Sequence, residues 1–390
     1  MAKLSTRMSM TRWLENSRAL DVLWLLLLII ILIKLVVVSD SIANNYLIYK
    51  FTAVHAWEGH TLFGRSPSEF LDKNHYGPLF SVVMMPFAWL PDRVGLTLWL
   101  VFMVATLWWA VRALPVTVWQ QNVMLLLLSN ELLTAGFNAQ FNLATAAIIV
   151  FSYVLIETKK EFWAPLPFLI ATFVKLYGVV ALAFFFFVKD KPKFILGCVV
   201  WAIVLLVLPM LFTSPEFVWQ GYQEWYLALA VKNAANVSLV SYQDISVMGF
   251  FRRLLQDPTL PNTPFLLAGV ALFGLPYLRF KQFQHADFRL LMLASTLMFP
   301  VLFSSASEGS TYIIVFTGIA AWLAVQPRPF SPTVWVLLAL AIVLASLNST
   351  DLYPRAWRDF LRLHSVKAIP CLLIWLHVIY QLCTRDFGRK

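Results

Sequence analysis

Residues 20–38, LDVLWLLLLIIILIKLVVV, constrain this chain more than any other feature. About 20 predominantly apolar residues are what a helix needs to cross the roughly 30 Å hydrocarbon core of a bilayer. Inside that core every backbone amide must be satisfied within the segment, which selects helix. Comparable apolar segments recur near 76–90, 94–111, 118–133, 143–156, 162–174, 177–188 and 194–212, then 264–280, 290–303, 312–324, 332–347 and 369–382. Side chains are 60% hydrophobic and 13% charged, against about 45–50% and 25% in soluble domains. A soluble enzyme, a disordered chain and a fibrous repeat are excluded, and a transmembrane barrel would show alternating segments rather than unbroken runs. The expected fold is all-α: a polytopic integral membrane protein of roughly 11–13 membrane helices with a large first outer loop.

Thirty basic against twenty acidic residues give a net charge of +10. Because the basic residues mostly flank apolar runs, they report topology rather than nucleic-acid binding. Lys3, Arg7, Arg12 and Arg18 against Glu15 predict a cytoplasmic N-terminus over residues 1–19. The first run is read as a retained span, with Lys34 reaching the interface. Basic clusters at 189–193, 279–289, Arg328 and 385–390 then fall on one side, leaving 39–75, 213–247, 304–311 and 348–367 on the outer side. Within 162–188 the two apolar runs around Lys175 are each only about 18–20 Å long as helices, too short to span. A shallow helical hairpin with Lys175 at its tip is expected there, with one non-spanning segment earlier. Cys198, Cys371 and Cys383 are scattered and carry neither a disulfide framework nor a metal spacing.

Ionisable groups are costly in a bilayer and mark functional sites. The first outer stretch offers carboxylates at Asp40, Glu58, Glu69 and Asp72, and mixed donors and acceptors at Asn44, Asn45, Tyr46, Tyr49, His75 and Tyr76. It reads either as a hydrated loop with interfacial aromatics or as a polar-ligand site whose carboxylate serves as general base for a hydroxyl. His55 and His60 are five apart, not the four that place paired zinc ligands on one helix face, so no metal is assigned. No phosphate-binding loop, dinucleotide fingerprint or nucleophile elbow occurs, so no cofactor is expected. Lys175 is either a lysine reaching the interface or a point charge for a lipid phosphate. Arg252 and Arg253 are either interfacial anchors or a bidentate phosphate clamp. Gln140 and Asn142 are candidates for helix–helix hydrogen bonds or for substrate, Asp244 and Ser246 for substrate contact, and Glu308 for an acid facing the same cavity as the first loop.

Several short motifs follow one another along the chain. NNYLIY follows the first span, and NHYGPLF at residues 74–80 opens the next helix, with Pro86 and Leu90-Pro91 after it. Then come Gln140 and Asn142, Lys175 between short helices, and Ser246, Gly249 and Arg253. Their order resembles glycosyltransferase family 87, polyprenyl-phosphate-sugar-dependent enzymes of the GT-C superfamily. The resemblance runs from about residue 20 to 325, which implies a GT-C-like catalytic core at 20–325 and C-terminal membrane helices and tail at 326–390. It implies a hexosyltransferase of the plasma or inner membrane. The enzyme would move a sugar, a hexose such as mannose, from a polyprenyl-phosphate donor to a glycan or lipid acceptor hydroxyl on the outer face. The family places an acidic base in the first outer loop, within an Asp-aromatic-x-x-Tyr pattern. Laid on residues 45–49, that pattern puts Asn45 at the acid's position. An amide takes no proton at neutral pH, which leaves Asp72, Asp40 and Glu308 as candidates, Asp72 first because it precedes Asn74 at the mouth of the next span. The alternative reading of the whole chain is a transporter or flippase for a lipid-linked or polar substrate, since polar groups in membrane helices also mark transport pathways.

Overall fold

The computed structural model describes residues 14, 15 and 17–388; the basic residues Lys3, Arg7, Arg12, Arg389 and Lys390 lie outside them. It is all-helical, with 74% helix and no strand among the described residues. By length and composition, Arg18–Val38, Asp92–Ala113, Lys191–Leu211 and Pro332–Ser349 can each cross a membrane. The bent pair Arg355–Leu363 and Ala368–Thr384, which turns through 54°, makes up to five. Most of the remaining segments expected from the sequence form helices, several of them apolar but too short to qualify. Two compact units emerge. The Lys175 unit comprises Leu28–Ala113 and Ala135–Ala234; the Lys367 unit comprises Met1–Leu27, Leu114–Thr134 and Ala235–Lys390.

The first helix, α1 (Ser17–Leu32), continues in a π-helical turn to Val38. In the Lys175 unit, α2 (Asn44–Glu58) follows. The sequence predicts short interfacial helices over 39–75; the structure has one helix of 15 residues and then irregular chain. Residues 44–58 contain no glycine or proline to interrupt a helix. Tyr46, Tyr49, Ala53 and Ala56 are buried along it, so packing rather than the interface holds it. The helix stops at Gly59, where φ is +74° and the His60 N–H donates to the His55 carbonyl at 2.8 Å. Next, α3 (Leu79–Ala88) has ten residues, about 15 Å of helix, half of what a crossing needs. Where the sequence predicts one non-spanning segment before residue 156, both this helix and Asn142–Glu157 are too short to qualify as spans.

Helices α4 (Asp92–Ala113) and α6 (Asn142–Glu157) pack on this base, while α5 (Val118–Phe137) begins in the other unit. An aromatic cluster joins these elements: Tyr76 stacks on Phe80 at 4.6 Å, Tyr49 meets Phe80 edge-on at 5.0 Å, and Trp99 stacks on Phe141 at 5.9 Å. The chain then forms α7 (Pro165–Lys175) and a 3₁₀ helix over Tyr177–Phe187. The break falls at Leu176, whose φ of +62° is left-handed. Folded back, the second segment packs so closely that a Cβ on Gly178 would lie 2.2 Å from the Phe168 carbonyl. Lys175 therefore sits at the turn of a short helical hairpin, as the sequence predicts. Helices α8 (Lys191–Val207) and α9 (Pro215–Asn236) complete the unit.

The Lys367 unit contains α10 (Val247–Leu255), α11 (Thr263–Gly274), α12 (Ala286–Leu302), α13 (Tyr312–Ala324), α14 (Pro332–Leu340), α15 (Arg355–Leu363) and α16 (Ala368–Thr384). At its centre is an ion pair absent from the sequence reading. The Lys367 ammonium lies 3.0 and 3.1 Å from the two carboxylate oxygens of Glu131, with both side chains buried. Removing one partner of a buried pair leaves an uncompensated charge and costs about 3–5 kcal/mol, whereas replacing both with apolar groups of similar volume is often neutral. Lys367→Met is expected to lower the unfolding temperature sharply in detergent, and the double variant Glu131→Leu/Lys367→Met to recover most of the loss. Equal stability of the single variant and the unaltered protein would show that this pair does not hold the unit.

Candidate functional site

The segment Asn74-His75-Tyr76-Gly77 is shaped locally. The buried Asn74 closes a turn on itself: its Oδ1 accepts the Tyr76 N–H at 2.9 Å and its Nδ2 donates to the Tyr76 carbonyl at 3.1 Å. Gly77 then donates its N–H to the Val174 carbonyl at 3.0 Å. A Cβ on Gly77 would lie 2.1 Å from the Phe173 carbonyl, so only glycine allows the segment to press against the end of α7. From the other side, Trp225 on α9 donates its indole N–H to the His75 carbonyl at 2.9 Å.

This contact carries Tyr76 to Lys175. The Lys175 ammonium donates to Asn142 Oδ1 at 2.7 Å, and it lies 5.6 Å from the Tyr76 ring centroid and 5.3 Å from that of Tyr177, within cation–π range. Asn142 in turn donates to Gln140 Oε1 at 2.6 Å, which orients its oxygen toward the lysine. The Tyr76 and Tyr49 hydroxyls are hydrogen-bonded at 2.8 Å. Tyr49, Tyr76, Gln140, Asn142 and Lys175 thus form one network from residues spread over more than a hundred positions.

His75 records the local field. Burial pushes its imidazole down to about 4; the Lys232 charge adds to this, the Asp72 carboxylate opposes it, and Lys73 and Lys175 lower it further. The charges of both Asp72 and Lys175 therefore act on one ring. Asp72 itself is exposed and accepts the Lys73 N–H at 2.8 Å. Its loop is tied to α2 by Asn44, whose Oδ1 accepts the Leu71 N–H at 2.8 Å. Asn45 donates its side-chain amide to the Asn138 carbonyl at 2.7 Å. An aspartate there has no proton to give, so the amide at this position has a structural use. Tyr46 is buried, and its hydroxyl donates to the Phe87 carbonyl at 3.1 Å. Asp40 is exposed in the bend between α1 and α2.

The remaining candidates belong to the Lys367 unit and are engaged within it. Arg252 donates to Asp244 Oδ2 at 2.5 Å and to the Leu260 carbonyl at 3.0 Å, and it also bonds Asn262. Arg253 donates to the carbonyls of Ser241 and Gly249 at 2.7 and 3.0 Å. Ser246 donates to Asp244 Oδ1 at 2.6 Å and accepts the Gly249 N–H at 3.0 Å, capping α10. All four side chains are buried. The two arginines are turned inward and hold the loop before α10, and neither the interfacial anchor nor the open clamp describes that geometry. Glu308 caps the turn that begins α13, reciprocally with Thr311.

Among the pairings that sequence reasoning missed are two that link distant segments. His55 Nε2 lies 2.8 Å from Glu69, bridging α2 to the loop that carries Asp72, and Glu131 pairs with Lys367 as described. Each joins residues that no local spacing relates. Among the described residues, no group of three or more His, Cys, Asp or Glu side chains is arranged to hold a metal ion.

A family model described as glycosyltransferase family 87 matches residues 74–305. No curated protein and no solved structure gives a significant match. The match begins at Asn74 and takes in His75, Tyr76, Gln140, Asn142 and Lys175; it leaves out Asp72 and α2.

The His75 field has a pH consequence. Its folded value of about 4 lies below the ordinary 6.5, so the unfolded chain binds the extra proton first. Stability from the neutral imidazole is fully present above pH 6.5 and is lost as pH falls toward about 4. The unaltered protein is expected to lose thermal stability over that window faster than His75→Gln. Parallel pH profiles for the two would contradict a half-buried His75 held neutral.

Proposed function

Because this chain belongs to glycosyltransferase family 87, with a match over residues 74–305 of 390, we propose that it is a membrane hexosyltransferase in which Lys175 holds the phosphate of a polyprenyl-phosphate-sugar donor. The sugar is a hexose such as mannose, the acceptor is a hydroxyl of a glycan or lipid, and the reaction takes place on the outer face of the plasma or inner membrane. The N-terminus is cytoplasmic in this reading. The observation that carries it is the Lys175 cradle: an ammonium at a hairpin turn, fixed by the neutral Asn142 oxygen at 2.7 Å and flanked by two tyrosine rings.

The chemistry needs little else. The acceptor oxygen attacks the anomeric carbon, forming one C–O bond as the C–O bond to phosphate breaks. The departing electron pair goes to the phosphate oxygen, where a fixed cation stabilises the developing charge. The hydroxyl proton passes to a carboxylate, and Asp72 is the first choice because it is exposed in the loop that leads directly into the Asn74–Tyr76 turn. A single displacement inverts the anomeric centre. Gln140 acts through Asn142, and Tyr76 and Tyr49 shape the wall beside the cation. Glu308 is less suited to the role because it caps its own helix turn.

The test is transfer from a labelled polyprenyl-phosphate hexose by purified protein. Lys175→Met is expected to reduce kcat by about 10²–10³, the usual effect of removing a donor to a developing oxyanion. Asp72→Asn is expected to reduce it by about 10²–10⁴, the usual contribution of a positioned base, with unchanged expression. Full activity in both Asp72→Asn and Asp40→Asn would move the base to Glu308 or Glu58. Movement of the labelled lipid across the bilayer without transfer would favour a transporter instead.

A further inference from the structure

The Lys175 unit also contains a polar concavity, of opposite charge character to the lysine cradle. The chain after α2 and the first turns of α9 border an open cleft of about 80 Å³, lined by Gly59, Thr61, Phe217, Gln220, Gly221 and Glu224 among others. That is well below the roughly 300–1,000 Å³ of sites that take up a whole ligand, and it offers room for the hydroxyl-bearing edge of a sugar with the rest of the ring in solvent. The Glu224 carboxylate is held from both sides: Thr61 donates its hydroxyl to Oε2 at 2.6 Å, and Gln220 donates its amide to Oε1 at 2.7 Å. Two donors on separate oxygens fix the carboxylate plane without neutralising it.

We propose that this cleft is a hydroxyl-binding subsite for the carbohydrate portion of the acceptor, with Glu224 as its principal hydrogen-bond acceptor. The proposal rests on the glycosyltransferase reading above. Each carboxylate oxygen has lone-pair capacity beyond the bond it already accepts, while the Thr61 hydroxyl and the Gln220 carbonyl also accept. A sugar hydroxyl both donates and accepts, so it matches this mixed lining. A phosphate would be repelled by Glu224, which separates this cleft from the donor's anionic group. Gly59 and Gly221 present no side chain at the cleft, and Phe217 gives a sugar ring's C–H face an apolar surface. Adjacent to Glu224, Trp225 donates to the His75 carbonyl at 2.9 Å, and a Cβ on Gly221 would lie 3.1 Å from Pro78. The helix that carries the cleft is thus braced against the segment that presents Tyr76 to Lys175. Glu224 is assigned here to binding, and the proton transfer stays with the base discussed above.

The test uses full-length protein in detergent and saturation-transfer NMR with methyl α-mannopyranoside, methyl β-glucopyranoside and methyl β-galactopyranoside as probes, with no donor present. At least one glycoside is expected to bind saturably. Glu224→Gln is expected to weaken it about tenfold, the scale of a lost charge-assisted hydrogen bond, and Thr61→Val to weaken it less. Lys175→Met is expected to bind the glycoside as the unaltered protein does. In transfer assays, Glu224→Gln should raise the acceptor KM and leave the donor KM unchanged. Should Glu224→Gln unfold, Thr61→Val decides. Absence of saturable binding for all three probes overturns the proposal, as does equal binding by the unaltered protein and both cleft variants. Because glycoside binding is read without donor, a failure of the Lys175 donor reading would show only in transfer and would leave this result standing.

Discussion

The hydrogen bond from the Gly77 N–H to the Val174 carbonyl, at 3.0 Å, is the contact on which the candidate site depends. It forms because Gly77 has no Cβ to strike the Phe173 carbonyl and because α7 ends one residue beyond Val174, at Lys175. Helix-end carbonyls lack intrahelical partners, and this one is satisfied by a segment from another part of the chain. The same contact puts the Tyr76 ring beside Lys175. On the far side, Leu176 turns left-handed and the 3₁₀ helix folds back against α7, supplying Tyr177. The cation at the tip is therefore placed by backbone geometry, and Asn142 and Gln140 only aim it.

Two ion pairs of the Lys367 unit are fully buried. Glu131 with Lys367, and Asp244 with Arg252, are closed pairs with their partners in direct contact. Such pairs seldom add much net stability, but leaving either half alone is costly. They secure the Lys367 unit: one joins residues far apart in sequence, the other locks the loop before α10. Lys175 is half-buried; its ammonium donates to the neutral Asn142 oxygen and lies within cation–π range of the Tyr76 and Tyr177 rings.

Much of the architecture was legible from local signals. Unbroken apolar runs require helix in a bilayer, and two runs too short to span, on either side of Lys175, predict the hairpin that the structure shows. The motif order around Asn74, Gln140, Asn142 and Lys175 pointed to the family that the match over 74–305 establishes. Other features were hidden because they depend on tertiary partners. Arg252 and Arg253 look the same in sequence whether they face a ligand or the carbonyls of their own loop. Glu131 and Lys367 are 236 positions apart, and nothing local pairs them. Residues 44–58, where Asn, Tyr, Lys and His are frequent, suggest short interfacial helices, yet one helix forms and buries its tyrosines. The amide at Asn45 looked like a missing acid, whereas its donated bond to the Asn138 carbonyl needs the hydrogen an acid would lack.

The central claim is that the Lys175 ammonium meets the phosphate of the lipid-linked donor. A ¹⁵N–³¹P dipolar-recoupling measurement tests it most directly, on protein with ¹⁵Nζ-labelled lysines reconstituted in bilayers of non-phosphorus lipid with a polyprenyl phosphate. The account predicts dephasing of one lysine resonance by the added phosphorus, and disappearance of that resonance in Lys175→Met. Dephasing that persists in Lys175→Met, or its absence from the unaltered protein with the lipid bound, would contradict it.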